Sequence, residues 1–151
     1  MRSTLAFVAG TDIAQFQNFN HRDDGLKYEE RLDHVLDRFE RVTKPTIARV
    51  EGVAAGGGCA IALTCDLRVA TPEATFGIPI ARTLGNCLSG ASYNRLLDVM
   101  SPGAVKDMLF TGRLIGAAEA QALGIATGSC PPARSTAPCA SSPPRSRPTR
   151  R

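Results

Sequence analysis

The sequence predicts an α/β domain. Short β-branched and apolar runs alternate with longer helical segments along the chain. Residues 26–45 repeat apolar side chains at spacings of three and four, one stripe of an amphipathic helix. A glycine triplet, Gly56-Gly57-Gly58, stands between an apolar strand and an apolar helix. At 151 residues the chain has the length of one ordinary domain.

Taken in order, 5–9 (LAFVA) reads as a short buried strand running into Gly10, followed by a polar stretch to Gly25. The helix over 26–45 carries Leu32, Val35, Leu36, Phe39 and Val42, with Asp23 or Asp24 as its cap and Lys44-Pro45 as its stop. Residues 46–54 (TIARVEGVA) read as one buried strand, and 59–65 (CAIALTC) as a short apolar helix. Two strands follow at 66–71 and 74–79. Helical zones are expected over 89–100 and 101–112, and a short helix over 116–124 closes at Gly124.

From Gly128 the composition changes abruptly. That segment holds six of the ten prolines and Arg134, Arg145, Arg147, Arg150 and Arg151, with no acidic residue. The expectation is a domain over 1–127 and a disordered tail over 128–151. A frameshifted reading of GC-rich DNA would give such a composition, and a natural basic linker is the alternative. Subtracting those five arginines from the formal charge of +4 leaves −1, so the basic charge belongs to the tail. With 5% aromatic residues and no Trp, nothing points to nucleic acid as a partner.

No apolar run reaches the ~18–20 residues of a membrane span, and the N-terminus is unlike a secretory signal, so a cytoplasmic protein is expected. The five cysteines form no CxxC pair and lie far from His21 and His34 in sequence, so neither zinc nor any other metal is expected. An odd number of cysteines fits reduced thiols.

The triplet admits several readings. A helix N-terminus presents free N–H groups and partial positive charge, and glycine lets a ligand approach them. Phosphate is one candidate ligand, although neither GxxxxGK nor GxGxxG is present. A carbonyl oxygen that becomes an enolate or oxyanion is another. Close helix–strand packing with no ligand is the third. A second strand ending in a glycine turn, 6–13 (AFVAGTDI), offers a second N–H for the same oxygen.

These segments together carry a resemblance. FVAGTDI resembles the FxAGxD segment of the crotonase superfamily, the enoyl-CoA hydratases and isomerases. VEGVAAGGGCAIALTCDLRVAT with ATFGIP resembles its second signature, and FTGRLIGAAEAQALGIA a later segment. The resemblance runs from about Ala6 to Ala126. It implies a partial crotonase-type spiral of ββα units and an acyl-CoA thioester as substrate, with no further cofactor. It also implies an oxyanion hole made by the backbone N–H groups of Thr11 and Gly57, and a CoA-contacting segment at Thr11, Asp12, Ile13 and Ala14.

The family's hydratases carry two glutamates, at positions occupied here by Ala60 and Ile80. Neither side chain can move a proton, so hydration by a glutamate pair is not expected. Other members place an aspartate at the position matching Cys87, which makes that thiol a candidate nucleophile or acid–base group; an inert buried residue is the alternative. Arg82 and Asn86 are also within reach of such a pocket, with a structural or solvated role as the reading preferred for each, and Asp66 reads as a turn or capping residue. Family members have further strands before FxAGxD and further helices after the last motif, and they assemble as trimers or as hexamers. The expectation is therefore a truncated acyl-CoA enzyme of the hydratase/isomerase type, or a non-catalytic fragment or pseudogene product of one.

Overall fold

A computed structural model describes residues 6–84, 88–131 and 140–141. Its strands fall into two sheets, the first five alternating between them. β1 (Ala6–Val8), β3 (Val53–Ala55), β5 (Thr75–Gly77) and β6 (Ile115–Gly116) make one sheet in that order. β2 (Ile47–Val50), β4 (Leu67–Ala70), β7 (Gly128–Ser129) and β8 (Ala140–Ser141) make the other. Within each sheet the first three strands pair in parallel and the last joins antiparallel.

The chain thus repeats strand, strand, helix, giving one strand to each sheet per turn. β2 and β3 lead into α2 (Gly57–Thr64); β4 and β5 lead into α3 (Ile80–Leu84), α4 (Gly90–Leu97) and α5 (Pro102–Thr111). α6 (Ala117–Ala122) then leads to β7. This is the expected spiral of ββα units. The core lies where α2 packs between the sheets and the later helices, with Val50, Ala54, Cys59, Ala62, Phe76, Leu96, Met108 and Ile125 buried.

Three expectations are corrected. The single strand over 46–54 is two strands in different sheets, because Gly52 at φ +74° turns the chain out of one sheet and into the other. The long helix, α1 (Arg22–Glu40), starts four residues earlier than its apolar pattern. Asp24 holds that start by reaching back: its Oδ2 accepts the N–H groups of Asn20 and His21, each at 3.0 Å. Of the apolar stripe only Leu36 is fully buried, while Val35, Phe39 and Val42 are exposed.

Past the expected boundary at 127 the described chain continues along the second sheet. Gly128 and Ser129 pair with Val69 and Ala70, and the Cys130 N–H donates to the Ala70 carbonyl at 3.0 Å. The edge of β4 supplies backbone hydrogen bonds whatever the side chains, so residues of tail-like composition are drawn into the sheet. The remainder of the expected tail, 132–139 and 142–151, lies outside the described residues. Among the described residues no helix is long and apolar enough to cross a membrane, and no cluster of His, Cys, Asp or Glu fits a metal ion.

Candidate active site

The three consecutive glycines meet three separate demands. Gly56 lies at φ +53°, ψ −121°, outside the reach of an L side chain, and its N–H donates to the Gly77 carbonyl at 2.9 Å. Gly58 serves packing, since a Cβ there would sit 2.0 Å from the Val8 carbonyl oxygen, inside the backbone of β1. Gly57 is open: a Cβ on it would meet only Thr11 Oγ1, at 3.8 Å. As the first residue of α2, Gly57 has an N–H with no acceptor in its own helix.

The turn after β1 lies directly against that helix start. Gly10, at φ +103°, would place a Cβ 2.9 Å from the Ala55 carbonyl oxygen and 3.7 Å from the Gly57 nitrogen. Thr11 follows it, with Oγ1 2.5 Å from the Tyr28 hydroxyl of α1. Asp12 caps the 3₁₀ turn Ile13–Asn18 by accepting the Ala14 N–H at 3.0 Å. Phe16 from that turn packs edge-on against Tyr28, with ring centroids 4.9 Å apart.

These segments enclose a cleft of about 750 Å³, counted out to its mouth. Gly10, Thr11, Gly56 and Gly57 line one side, and Phe16, Tyr28, Glu29 and Leu32 another. Ala60, Pro79, Ile80 and Leu88 complete it. Ala60 and Ile80, the positions at which the resemblance led to an expectation about the hydratases' glutamates, both line this cleft.

Of the residues expected from sequence, Thr11 and Gly57 are brought together in the cleft. Asp12 and Ala14 are exposed on the following turn and do not line it. Cys87 and Asn86 lie outside the described residues. Arg82 is exposed, as are His21 and His34. Asp66 has the expected structural role, accepting from the Thr46 N–H at 2.8 Å and its hydroxyl at 2.9 Å.

Sequence reasoning missed Glu29. Burial pushes its carboxyl pKa upward, and the nearby Asp33 carboxylate adds to this; the Ser89 N–H, bonded to it, works the other way. Oε2 is buried without a hydrogen-bond partner among the described residues. Glu29 heads a row of acids on one face of α1 with Asp33, Asp37 and Glu40. The buried Arg95 of α4 takes the last three, with Nη1 2.9 Å from Asp33, Nε 3.2 Å from Glu40 and Nη2 bonded to Asp37. The acidic row was visible at helical spacing; which member lacks a cation was not.

The family model for enoyl-CoA hydratase/isomerase matches residues 3–136, most of the chain. The chain belongs to the enoyl-CoA hydratase/isomerase family. It is 38% identical over 120 residues to a short-chain-enoyl-CoA hydratase of Clostridium acetobutylicum, covering 80% of this chain and 45% of that protein. It is 36% identical over 119 residues to the mitochondrial enoyl-CoA hydratase domain-containing protein 2 of Bos taurus, covering 79% of this chain and 40% of the relative. Among solved structures, it matches a putative enoyl-CoA hydratase/isomerase family protein from Hyphomonas neptunium with a TM-score of 0.77 and 40% identity. That match covers 83% of this chain and 48% of the other. This family member thus spans about half the length of the relatives it matches, and the family match runs past the expected boundary at 127.

Proposed function

We propose that the chain is an acyl-CoA enzyme of the hydratase/isomerase type that stabilises a thioester enolate between the N–H groups of Thr11 and Gly57. The observation that carries this reading is the contact of the two glycine turns at one cleft, Gly10–Thr11 against Ala55–Gly57. Two N–H donors on one carbonyl oxygen draw electron density onto it and make the neighbouring C–H more acidic. The N-terminus of α2 favours the negative charge that develops. A donor of this kind contributes ~3 kcal/mol to transition-state stabilisation. The exposed Asp12 and the turn from Ile13 to Ala14 are the proposed contacts for the CoA moiety.

Hydration of a 2-enoyl thioester needs one group to take a proton from water and one to protonate the α-carbon. Ala60 and Ile80 supply neither, so this chain should hydrate crotonyl-CoA negligibly. Isothermal calorimetry should show an acyl-CoA binding more tightly than its free carboxylic acid, while crotonyl-CoA absorbance stays constant. Hydration at an ordinary enzymatic rate would overturn the reading of those two positions. Absence of acyl-CoA binding at millimolar concentration would overturn the ligand assignment.

A second reading, a non-catalytic fragment or pseudogene product that retains the cleft, is favoured by Ala60 and Ile80, which line the cleft and cannot move a proton. Acyl-CoA binding without turnover of any enoyl thioester is its signature. A homotrimer or hexamer goes with the enzymatic reading and is measured by sedimentation. A cytoplasmic setting goes with it too: Cys59 and Cys65 are buried free thiols, in keeping with a reducing compartment.

A further inference from the structure

The cleft lacks both usual acids, yet it contains a carboxylate. Glu29, from α1, lines the same cleft as the Gly10–Thr11 and Gly56–Gly57 turns. Its neighbours in the acidic row are held by Arg95, and no described cation pairs with Glu29 itself. One of its oxygens is buried and unpartnered. The group takes the Ser89 N–H, and a buried carboxylate oxygen left without a partner is destabilising in a purely structural role. Beside a candidate oxyanion hole it is suited to acid–base work.

We propose that Glu29 is the proton-transferring residue of this cleft, taking the α-hydrogen of a 3-enoyl thioester and returning it to the γ-carbon. This rests on the oxyanion reading of Thr11 and Gly57. The Cα–H bond breaks and its electron pair forms a double bond to the thioester carbon. The carbonyl π pair moves onto the oxygen held by the two N–H groups, and Glu29 becomes a neutral carboxylic acid. When the carbonyl re-forms, the new double bond shifts to Cα=Cβ. The former Cβ=Cγ pair takes the proton from Glu29, which is restored as carboxylate. The product is the 2-enoyl isomer; neither water nor a redox partner enters, which suits a site without a second acid.

The carboxylate must be ionised to act. Among the described residues the charge bearing on it is Asp33 of its own helix, the loop before α4 presents the Ser89 N–H, and Tyr28 is the other titratable group lining the cleft. Burial and Asp33 raise the Glu29 pKa, so the acid limb of the activity should lie above the pH at which a free glutamate titrates.

The test uses the full chain with 3-butenoyl-CoA, following crotonyl-CoA formation and, separately, binding by calorimetry. The expected result is binding by wild type and Glu29→Gln alike, with the isomerisation rate of E29Q down by roughly 100-fold or more. Glu29→Asp keeps a carboxyl and should retain part of the rate, with an acid limb. Equal rates for wild type and E29Q, or binding by wild type without isomerisation, would overturn the role of Glu29 and leave the oxyanion reading standing. Failure of wild type to bind any acyl-CoA would overturn both. Should E29Q fail to fold by circular dichroism, E29D and the wild-type pH profile decide: an acid limb within the ordinary carboxylate range, or none, overturns the proposal.

Discussion

A methyl group on Gly58 would overlap the Val8 carbonyl, whereas one on Gly57, next in the chain, would meet only a threonine hydroxyl at 3.8 Å. The two substitutions should therefore separate fold from site. Gly58→Ala forces β1 away from α2, and overpacking of this kind costs about 3 kcal/mol. Gly57→Ala should leave the urea midpoint within the error of wild type while weakening acyl-CoA binding, because the methyl projects where a carbonyl oxygen would rest. A Gly57→Ala protein that binds acyl-CoA as wild type does would remove Gly57 from the site. A Gly58→Ala protein of unchanged stability would mean that α2 and β1 can part without cost. The sequence showed that the triplet was special but could not rank its members, because Gly58 is required by a carbonyl fifty residues earlier in the chain. Glu29 was hidden for a related reason: its distinction within the acidic row is the lack of a cation among the described residues, which depends on where Arg95 lies.

Among the elements, α1 joins the cleft to the rest of the domain. Its first half brings Tyr28 and Glu29 to the cleft wall, and its second half is tied to α4 through Arg95, whose side chain is 8% exposed. Ser92 adds a hydroxyl bond to Asp33 at 3.2 Å. Charge-assisted bonds from a buried guanidinium contribute more than surface pairs, although the three carboxylates stay partly solvated and limit the gain. Arg95→Met keeps the apolar stem and leaves Asp33, Asp37 and Glu40 to repel one another along one helix face. The expected cost is about 2 kcal/mol by urea unfolding, reduced in high salt as the repulsion is screened. An unchanged midpoint would mean that α1 is held by Leu36 and its apolar contacts alone. The helix was legible from its periodicity, but the burial of its stripe was not. Val35 and Phe39 share the spacing of Leu36, and only the position of α2 selects which side is covered.

Over the whole molecule, the alternation of strands and helices was readable because each element carries its own period, and the glycine turns marked where the sheets give way to helices. The division of the strands between two sheets was not readable, since it turns on one residue, Gly52, at positive φ. Nor was the extent of the ordered body, since Gly128–Cys130 is held by the edge of β4 rather than by its own composition. Thiol labelling measures that extent directly. Cys59, Cys65 and Cys130 are all buried, and burial pushes the Cys59 thiol up to about 12, far from the thiolate form at neutral pH. Cys65 is raised by burial as well. Each should react with a thiol reagent only when its segment opens. Cys59, inside α2, should be protected most. Cys130 lies beyond a two-residue strand and should be the fastest of the three, yet still roughly 100-fold slower than in denaturant, an opening free energy of about 3 kcal/mol. Mass mapping of the labelled sites over time checks the order. If Cys130 reacts in the native protein as fast as in the unfolded chain, β7 does not hold in solution, and the ordered domain ends near residue 127 after all.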